Sequence, residues 1–445
     1  MRPPAGRPLK LLLITANFAP RSASPAIRTV NLATAFARLG HHVAVVTYDP
    51  GTQLLFSPED RALTAKLPEA VQISRVRAGA LRRLVFARAP EGGAAATLAK
   101  RTRLRRHALA QLLVPDPHVD AIMPFIRRGQ RMVQASRPDV ILTFGYPYSM
   151  HIVGYALKRM APDVLWAADY GDPWCANPTE ELRRAAWRRR LDRGIERRLL
   201  DRCDQVFVTT PATRTLYEHA FPAVRGRIAV APMGYDPEDM AAAVAWPRDE
   251  AEQTECWLVH TGSLYESARN PIPMIEAIEH VVRARPELAA RIRLILIGNM
   301  TAAIEARVAG SSAANLVVCK PWMEQAESLR WVKAADRVVL FGNRGQLQVP
   351  GKLFQYLGAR KPILYLHETD ADPVIAMVRE AGGVAVPNAV GSIEAELSAM
   401  AVSAGRAEPV GGSGPARDRS EEHTWGSVAK SVSDILEQGM SRSWS

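Results

Sequence analysis

The sequence predicts an α/β protein built from two doubly wound halves. Short apolar runs rich in β-branched residues alternate with longer amphipathic stretches along most of the 445 residues. This alternation is typical of parallel sheets covered by helices on both faces. A chain of this length exceeds what one hydrophobic core usually serves, and its hydrophobic content of 47% is enough to fill two.

Candidate strands divide into two sets on either side of a polar, acidic stretch, Pro247–Glu255, which is typical of a linker. The first set comprises Lys10–Thr15, Val43–Tyr48, Val71–Val76, Asp139–Phe144, Val164–Asp169, Gln205–Thr209 and Arg227–Ala231. The second comprises Cys256–Thr261, Arg293–Ile297, Leu316–Cys319, Arg337–Phe341, Pro362–Leu366 and Gly383–Pro387. We therefore predict domains at residues 1–245 and 246–423, followed by a last helix at 424–440.

The chain is strongly basic, with a formal net charge of +12. Such a charge suits nucleic acid, an anionic membrane surface or a phosphorylated substrate. No RNP motif, zinc finger or convincing helix-turn-helix is present, so nucleic acid is not an expected partner. The positive charge concentrates in Leu81–Ala110, with eight Lys or Arg against one acid, and in Glu181–Cys203, with nine Arg against four acids. Both segments are candidates for contact with an anionic membrane surface.

The second basic segment also carries an apolar stripe, because Trp187, Leu191, Ile195 and Leu199 recur every four residues. One interpretation is a helix that docks this stripe on the domain core and leaves its arginines in solvent. The other is a helix that lies against lipid headgroups.

Several classes of protein are disfavoured. No apolar run approaches the roughly 20 residues needed to span a bilayer, and the apolar start Leu11–Ile14 ends at Asn17, as a buried strand would. The four cysteines form no CxxC pair, which favours reduced thiols and a cytoplasmic location. Neither half has GxGxxG after its first strand, so no dinucleotide redox cofactor is expected.

The segment Val349–Leu364 has the features of an anion site. Pro350 fixes φ at a helix entrance, Gly351 lets a ligand approach the backbone, and Lys352 adds an ammonium group beside the free amides of the first turn. The segment follows the strand Arg337–Phe341, and open α/β sheets bind ligands at the carboxyl ends of their strands. The alternative is an ordinary helix and strand, in which glycine and proline only mark where these elements begin and end.

This segment and several other motifs of the chain together resemble the retaining GT-B glycosyltransferases of glycosyltransferase family 4, and within it the bacterial surface-polysaccharide branch. The resemblance covers nearly the whole chain. It rests on Asn17–Pro20 with Arg28, the "GHxVxVxT"-like stretch ending at Thr47, Tyr146–His151, Asp169–Trp174, Thr261–Pro271 and the "pGKlfEYL"-like segment at Pro350. It implies two Rossmann-like domains facing across a cleft, the first binding the acceptor and the second the donor, with the last helix returning to the first domain.

The resemblance also implies a mechanism. A nucleoside-diphosphate sugar is the co-substrate, and the leaving phosphate oxygen accepts the acceptor's proton in a front-face attack that retains configuration. No side-chain nucleophile, metal site or cofactor is then needed. Cations should stabilise the departing diphosphate, and Arg269 and Lys352 are the candidates. The alternative for Arg269 is a solvated loop arginine.

Further residues acquire roles from the same resemblance. Donor contacts are expected from Gly262, Ser263, Trp322, Pro350, Gly351 and Gln355. Trp322 could stack on the nucleobase or belong to the core. His151 could bind the transferred sugar or be a buried structural histidine. Asp172 could position the acceptor, cap the turn before Pro173, or act as the base of an inverting enzyme.

One departure from the family pattern concerns its carboxylate pair. Leu347 and Gln355 stand where two glutamates are usual. A glutamine accepts one hydrogen bond from a ribose and must donate the other. The expected function is transfer of a sugar to a glycan or lipid-linked acceptor, by a cytoplasmic protein that could bind the inner membrane face. The alternatives are a catalytically silent binding or scaffold subunit and a glycosyltransferase for a soluble secondary metabolite.

Overall fold

The computed structural model describes residues 7–52, 59–77, 112–176, 184–343, 347–403 and 420–443. The basic segment Leu81–Ala110 lies outside these ranges. The chain forms two compact units. Unit 1 comprises Met1–Met233 with Trp425–Ser445, and unit 2 comprises Gly234–Thr424.

Unit 1 contains a parallel sheet in the order β3-β2-β1-β4-β5-β6-β7. Its elements are β1 Lys10–Ile14, α1 Ser24–Arg38, β2 His42–Tyr48, α2 Arg61–Ala65, β3 Gln72–Val76, α3 Ile122–Ser136, β4 Val140–Gly145, α4 Ser149–Met160, β5 Leu165–Tyr170, α5 Ala186–Arg202, β6 Gln205–Val208, α6 Pro211–Ala220 and β7 Ile228–Val230. The order reverses between β1 and β4, which is the doubly wound arrangement that the alternating pattern predicts.

Unit 2 contains a second parallel sheet in the order β10-β9-β8-β11-β12-β13. Its elements are α7 Pro237–Ala242, β8 Cys256–Thr261, α8 Ile272–Ala284, α9 Pro286–Ala289, β9 Ile292–Ile297, α10 Ala302–Ala309, β10 Val317–Lys320, α11 Gln325–Ala334, β11 Arg337–Phe341, α12 Gly351–Gly358, β12 Ile363–His367, α13 Val374–Glu380, β13 Val384–Pro387 and α14 Val390–Ser403. Every predicted strand of both sets is present, with ends that differ by at most one residue.

The last helix, α15 Trp425–Ser443, belongs to unit 1. Its apolar face, which includes Trp425, Val428, Val432 and Leu436, packs into the same core as β1 and α1. These positions follow the helical period, so one face is apolar and can be buried against the sheet layer. The expected return of the final helix to the first domain is thus present in the fold.

The boundary between the units falls at Met233, earlier than the predicted boundary at residue 245. The reason is packing: Tyr235 and Met240 are buried in the core of unit 2. Trp246 stacks on Trp331 with 4.4 Å between ring centroids. The acidic composition of Pro247–Glu255 indicated a linker, but residues that precede this stretch already pack in the core of unit 2.

A buried ion pair ties helix α1 to strand β5. Arg28 donates through Nε and Nη2 to the two carboxylate oxygens of Asp169, at 3.0 and 2.6 Å, and both side chains are almost fully buried. Arg28 also donates to the carbonyl oxygens of Ala231 and Pro232. One guanidinium therefore holds three separate parts of unit 1 together, in the bidentate geometry that suits arginine.

Helix α5 does not bury the predicted stripe. Trp187 and Leu191 are 51% and 43% exposed, while Leu199 is buried and Ile195 is partly buried. The buried face carries charged groups instead, namely Arg188, Asp192 and Glu196. Buried polar groups are tolerated when they are hydrogen-bonded, and these have partners from distant parts of the chain.

Hydrogen bonds to other parts of the chain explain why charged side chains occupy the buried face of α5. Arg188 donates to Asp192 at 2.9 Å and to the carbonyl oxygens of Leu113 and Pro115. Glu196 accepts hydrogen bonds from the Tyr217 hydroxyl at 2.7 Å and from the backbone N–H of Cys175. Burial raises the pKa of Glu196 to about 7. The prediction that the whole stripe docks on the core is therefore wrong.

Candidate functional site

The carboxyl edge of the unit 2 sheet holds the predicted cation Arg269. Strands β8 and β11 are neighbours there. The backbone N–H of Arg269 donates to Gly342 O at 3.2 Å, and its Nε donates to Asn343 Oδ1 at 3.0 Å. Its φ of +47° lies in the left-handed region, which is uncommon outside glycine. The loop after β8 is thus fixed against the end of β11, where open parallel sheets bind ligands.

Lys352 lies in the first turn of α12, directly after Pro350 and Gly351. Its Nζ donates to Gln355 Oε1 at 2.9 Å. Burial lowers the pKa of Lys352 to about 8, because the charged ammonium is partly removed from water. A bound anion would favour the charged form and offset this cost.

A buried histidine, His260, lies in strand β8 of the same unit. His260 Nδ1 is 2.9 Å from Val339 O, and its Nε2 has no hydrogen-bond partner within the described part of the chain. The pKa of His260 is lowered to about 3, mainly by burial and also by the charges of Arg269 and Lys352. The imidazole is therefore neutral at physiological pH. The sequence signal was a polar histidine near the end of the largely apolar strand β8.

Gly262 follows β8 with φ of +151°, and a Cβ there would lie 3.3 Å from His260 Nε2. Its backbone N–H donates to Ile297 O at 2.8 Å. The next strand contributes Gly298, with φ of +141°, and a Cβ at that position would lie only 2.1 Å from Gly262 O. Glycines directly after the adjacent strands β8 and β9 therefore let the backbone turn tightly at the carboxyl edge of the sheet.

We expect Gly298→Ala to destabilise unit 2 by about 2–3 kcal/mol, since the added methyl overlaps the Gly262 carbonyl and the backbone conformation disfavours alanine. Hydrogen exchange of β8 and β9 peptides measures the effect. Gly391→Ala is the matched control, because nothing lies within 4 Å of its added Cβ. Equal stability of the two variants would show that the close approach at Gly262 is absent.

The other predicted donor residues lie around the same sheet edge. Ser263 adjoins Gly262 and is partly buried. Gln355 is buried, and its Oε1 accepts from Lys352. Trp322 follows edge strand β10 and is partly buried, but it belongs to neither apolar core of unit 2. Leu347 is also partly buried.

In unit 1, His151 lies in the first turn of α4 and is fully buried. Its Nδ1 is 2.9 Å from Thr143 Oγ1. Its Nε2 has no partner among the described residues, and a Cβ on Gly145 would lie 2.7 Å from it. Burial lowers the pKa of His151 to about 3, so the imidazole is neutral at physiological pH. Binding of a sugar by Nε2 stays a prediction.

Asp172 lies in the loop after β5 and is exposed. Its carbonyl oxygen is 3.4 Å from the Tyr148 hydroxyl, which donates there and to Pro173 O. Tyr148 in turn stacks on Trp174 with 4.8 Å between centroids. The predicted residues thus form two sets: His151 and Asp172 belong to unit 1, and the donor residues belong to unit 2. Among the described residues, no group of three or more His, Cys, Asp or Glu is arranged to hold a metal ion.

The two buried histidines predict sensitivity to acid. Each folded-state pKa lies below the ordinary 6.5, so the unfolded chain binds more protons between about pH 3 and 6.5. Their contribution is fully present above that window and is lost as the pH falls through it. From pH 7.5 to 5 we expect unit 2 to lose about 2 kcal/mol of stability through His260. In unit 1 a similar loss through His151 is opposed by Glu196, whose pKa is raised to about 7 in the folded state and which therefore stabilises the fold as the pH falls below 7.

Hydrogen exchange of β4 and β8 peptides at the two pH values checks this prediction for each unit. His260→Gln should remove the loss in unit 2. His151→Gln should make unit 1 more stable at pH 5, relative to pH 7.5, than it is in the unmodified chain by about 2 kcal/mol. His219→Gln, at an exposed position on α6, is the control. An unchanged pH dependence in both buried-site variants would contradict the buried neutral state.

Part of the chain matches a known protein family. Residues 25–234 match the glycosyl transferase 4-like domain family, a range that lies almost entirely in unit 1. No curated protein sequence matches the chain at a significant level. In the described parts of the chain, no helix is both long and apolar enough to cross a membrane.

Solved structures resemble the whole chain. Sucrose-phosphate synthase from Thermosynechococcus elongatus has a TM-score of 0.62 at 14% identity, covering 97% of this chain and 100% of that one. The α,α-trehalose 6-phosphate synthase from Burkholderia multivorans has a TM-score of 0.62 at 13% identity, covering 98% and 100%. A glycosyltransferase from Rickettsia africae has a TM-score of 0.59 at 10% identity, covering 97% and 99%.

The predicted fold class is confirmed by these likenesses. The chain has the GT-B fold, with two Rossmann-like units, each built on a parallel sheet with alternating helices. The similarity to the glycosyl transferase 4-like domain covers residues 25–234, almost entirely within the first unit.

Proposed function

We propose that this protein is a retaining glycosyltransferase that moves a sugar from a nucleoside-diphosphate sugar to a glycan or lipid-linked acceptor. The observation that carries the proposal is the placement of two cations at the carboxyl edge of the unit 2 sheet. Arg269 is hydrogen-bonded to Gly342 and Asn343 after β11, and Lys352 opens the helix that follows the same strand. Two cations at this edge suit the diphosphate of such a donor.

Cleavage of the donor leaves negative charge on the departing diphosphate, and fixed cations at that position lower the barrier. Arg269 is already positioned by Gly342 and Asn343. Lys352 and the Gly351 amide supply donors from the first turn of α12. In the front-face mechanism the bond from the anomeric carbon to the phosphate oxygen breaks as the acceptor oxygen attacks. The acceptor's proton passes to that phosphate oxygen, so no side-chain base or nucleophile is needed, and the two cations neutralise the charge that a metal would otherwise balance.

The nucleoside would extend from the diphosphate toward β10. Trp322 follows that strand, which is two strands from β8, on the order of 10 Å away. A partly buried indole outside the core suits stacking on a nucleobase. Gln355 would contact the ribose with one neutral hydrogen bond where a glutamate is usual, at a cost of about 1 kcal/mol.

A role in cell-surface polysaccharide biosynthesis at the cytoplasmic face of the membrane is part of the proposal. Helix α5 supports it, because Trp187 and Leu191 are exposed on a helix with exposed arginines. Such a surface suits an anionic lipid interface. Co-sedimentation with anionic vesicles tests this part, and Trp187→Ser with Leu191→Ser should reduce the bound fraction. If the variant sediments like the unmodified chain, the helix is not the membrane contact.

A panel of UDP-, GDP- and dTDP-sugars with lipid extract tests the activity in the presence and absence of EDTA. We expect one donor to yield nucleoside diphosphate and a glycosylated product, with EDTA causing no loss. Nuclear magnetic resonance of the product should show the anomeric configuration of the donor. An inverted product would instead favour Asp172 as a general base.

A further inference from the structure

Strands β8 and β11 separate before they reach the carboxyl edge of the unit 2 sheet. The strand order reverses between these two strands, and open parallel sheets form their ligand crevice at such a point. Strand β8 pairs with β11 only at Leu258 and Val259, whereas it stays paired with β9 as far as Thr261. The crevice therefore begins beside the last two residues of β8.

Side chains make hydrogen bonds where the two strands have separated. The Tyr356 hydroxyl, from α12, accepts from the backbone N–H of Thr261 at 2.9 Å. His260 Nδ1 lies 2.9 Å from the carbonyl oxygen of Val339 in β11. Because a carbonyl oxygen only accepts, Nδ1 carries the proton and donates it. In the neutral imidazole, Nε2 then has a lone pair and is itself an acceptor.

The Nε2 atom of His260 faces Gly262. His260 is only 2% exposed, and its Nε2 has no hydrogen-bond partner in the described part of the chain. A Cβ on Gly262 would lie 3.3 Å from Nε2, and apart from His260 and the two chain neighbours of the glycine no described atom lies within 4 Å of that point. Gly262 itself is partly exposed. A ligand oxygen that approaches this glycine would therefore come within hydrogen-bond range of Nε2.

The chemistry of Nε2 suits a hydroxyl group and not an ionised phosphate. A buried acceptor without a partner costs free energy that an O–H group of a ligand would offset. An ionised phosphate oxygen has no proton to donate. Burial lowers the pKa of His260 to about 3, and the charges of Arg269 and Lys352 lower it further, so the imidazole is not a cation that would attract phosphate.

We propose that His260 Nε2 accepts a hydrogen bond from a hydroxyl group of the nucleoside-diphosphate sugar, beside Gly262. The identity of this ligand rests on the proposed function. The hydroxyl belongs either to the ribose or to the transferred sugar, since both offer the same O–H group. His260 thus makes the edge that holds two cations selective for a sugar-bearing diphosphate over a simple anion.

Titration calorimetry of two variants tests the assignment, with UDP, GDP and dTDP, their glucose conjugates and inorganic pyrophosphate as probes. The amide of His260→Asn can replace Nδ1 toward Val339 but is too short to replace Nε2, whereas the amide oxygen of His260→Gln can replace Nε2. We expect His260→Asn to weaken the tightest-binding conjugate by about fivefold to tenfold, and His260→Gln to recover most of that affinity. Pyrophosphate should bind both variants like the unmodified chain. His280→Asn, at an exposed position on α8, is the control and should bind unchanged.

The nucleoside diphosphates identify the hydroxyl. A loss for the nucleoside diphosphate as large as that for its conjugate assigns the contact to the ribose, and a loss for the conjugate alone assigns it to the transferred sugar. Nuclear magnetic resonance of the imidazole nitrogens adds a readout that a structural role would not move. The Nε2 signal of His260, identified by its loss in His260→Gln, should shift on binding and stay that of an unprotonated nitrogen.

Three results would overturn the assignment while the proposed function stands. These are unchanged affinity in His260→Asn, equal losses in His260→Asn and His260→Gln, and a protonated Nε2 in the complex, which would indicate a phosphate contact. Failure of every nucleotide and conjugate to bind the unmodified chain would instead contradict the proposed function, and this inference with it.

Discussion

Replacement of Lys352 with alanine is expected to lower sugar transfer by about 100-fold or more, the usual effect of removing one fixed donor to developing negative charge. Lys352 is partly buried at the start of α12, the helix that follows β11, and its Nζ donates to Gln355. Without its ammonium group, one cation fewer would stabilise the departing diphosphate. The turnover rate at saturating donor measures the effect.

Lys361→Ala is the matched control for this experiment. Lys361 precedes β12 at the amino edge of the same sheet, and burial lowers its pKa as well. It lies at the edge opposite to the proposed donor site, so its loss should leave transfer within about twofold of the unmodified rate. Equal losses in both variants would assign the effect to folding rather than to the diphosphate.

The lowered pKa of Lys352 predicts a pH dependence of ligand affinity that a purely structural role would not produce. Above about pH 8 the ammonium loses its proton, whereas a bound diphosphate favours the charged form. Affinity for the nucleoside diphosphate should therefore fall as pH rises above 8, by up to about tenfold per pH unit. Calorimetry at several pH values measures the slope. Lys352→Ala should abolish it, and a slope that persists would point to another group.

Replacement of Arg28 with methionine is expected to destabilise unit 1 by about 3–5 kcal/mol, because Asp169 would be left as a buried charge without its partner. The pair is almost fully buried, with both carboxylate oxygens engaged. The carbonyl oxygens of Ala231 and Pro232 would lose their donor as well. Hydrogen exchange of β1 and β5 peptides reports on unit 1 separately.

Two controls make this result specific. A second change, Asp169→Leu in the Arg28→Met chain, should recover part of the stability by removing the stranded carboxylate. Arg214→Met breaks the more exposed pair with Glu218 on α6 and should cost less than about 1 kcal/mol. A loss of that small size for Arg28→Met would contradict the buried pair.

Much of the fold follows from local patterns. The strands were predictable because their residues are buried on both faces of parallel sheets and so form continuous apolar runs, as in β4. Lys352 was identifiable because Pro350, Gly351 and Lys352 mark a helix entrance in the sequence itself, whereas Gly262 was identified through the family resemblance of Thr261–Pro271.

Other features depend on partners that are distant in sequence. The burial of Arg188 depends on the carbonyl oxygens of Leu113 and Pro115, which no periodicity of α5 reveals. The placement of Arg269 against Gly342 and Asn343 arises from the adjacent strands β8 and β11, whose pairing is set by the sheet order. The requirement for glycine at position 298 likewise comes from the close approach of its backbone to Gly262, which leaves no room for a Cβ.

Mass spectrometry of one defined reaction tests the central claim most directly. The protein is incubated with each nucleoside-diphosphate sugar and lipid extract, in parallel with Lys352→Ala and Lys361→Ala. The expected result is release of nucleoside diphosphate with one sugar added to an acceptor, lost in Lys352→Ala and kept in Lys361→Ala. Absence of both donor cleavage and sugar addition across the panel would contradict the proposed glycosyl transfer.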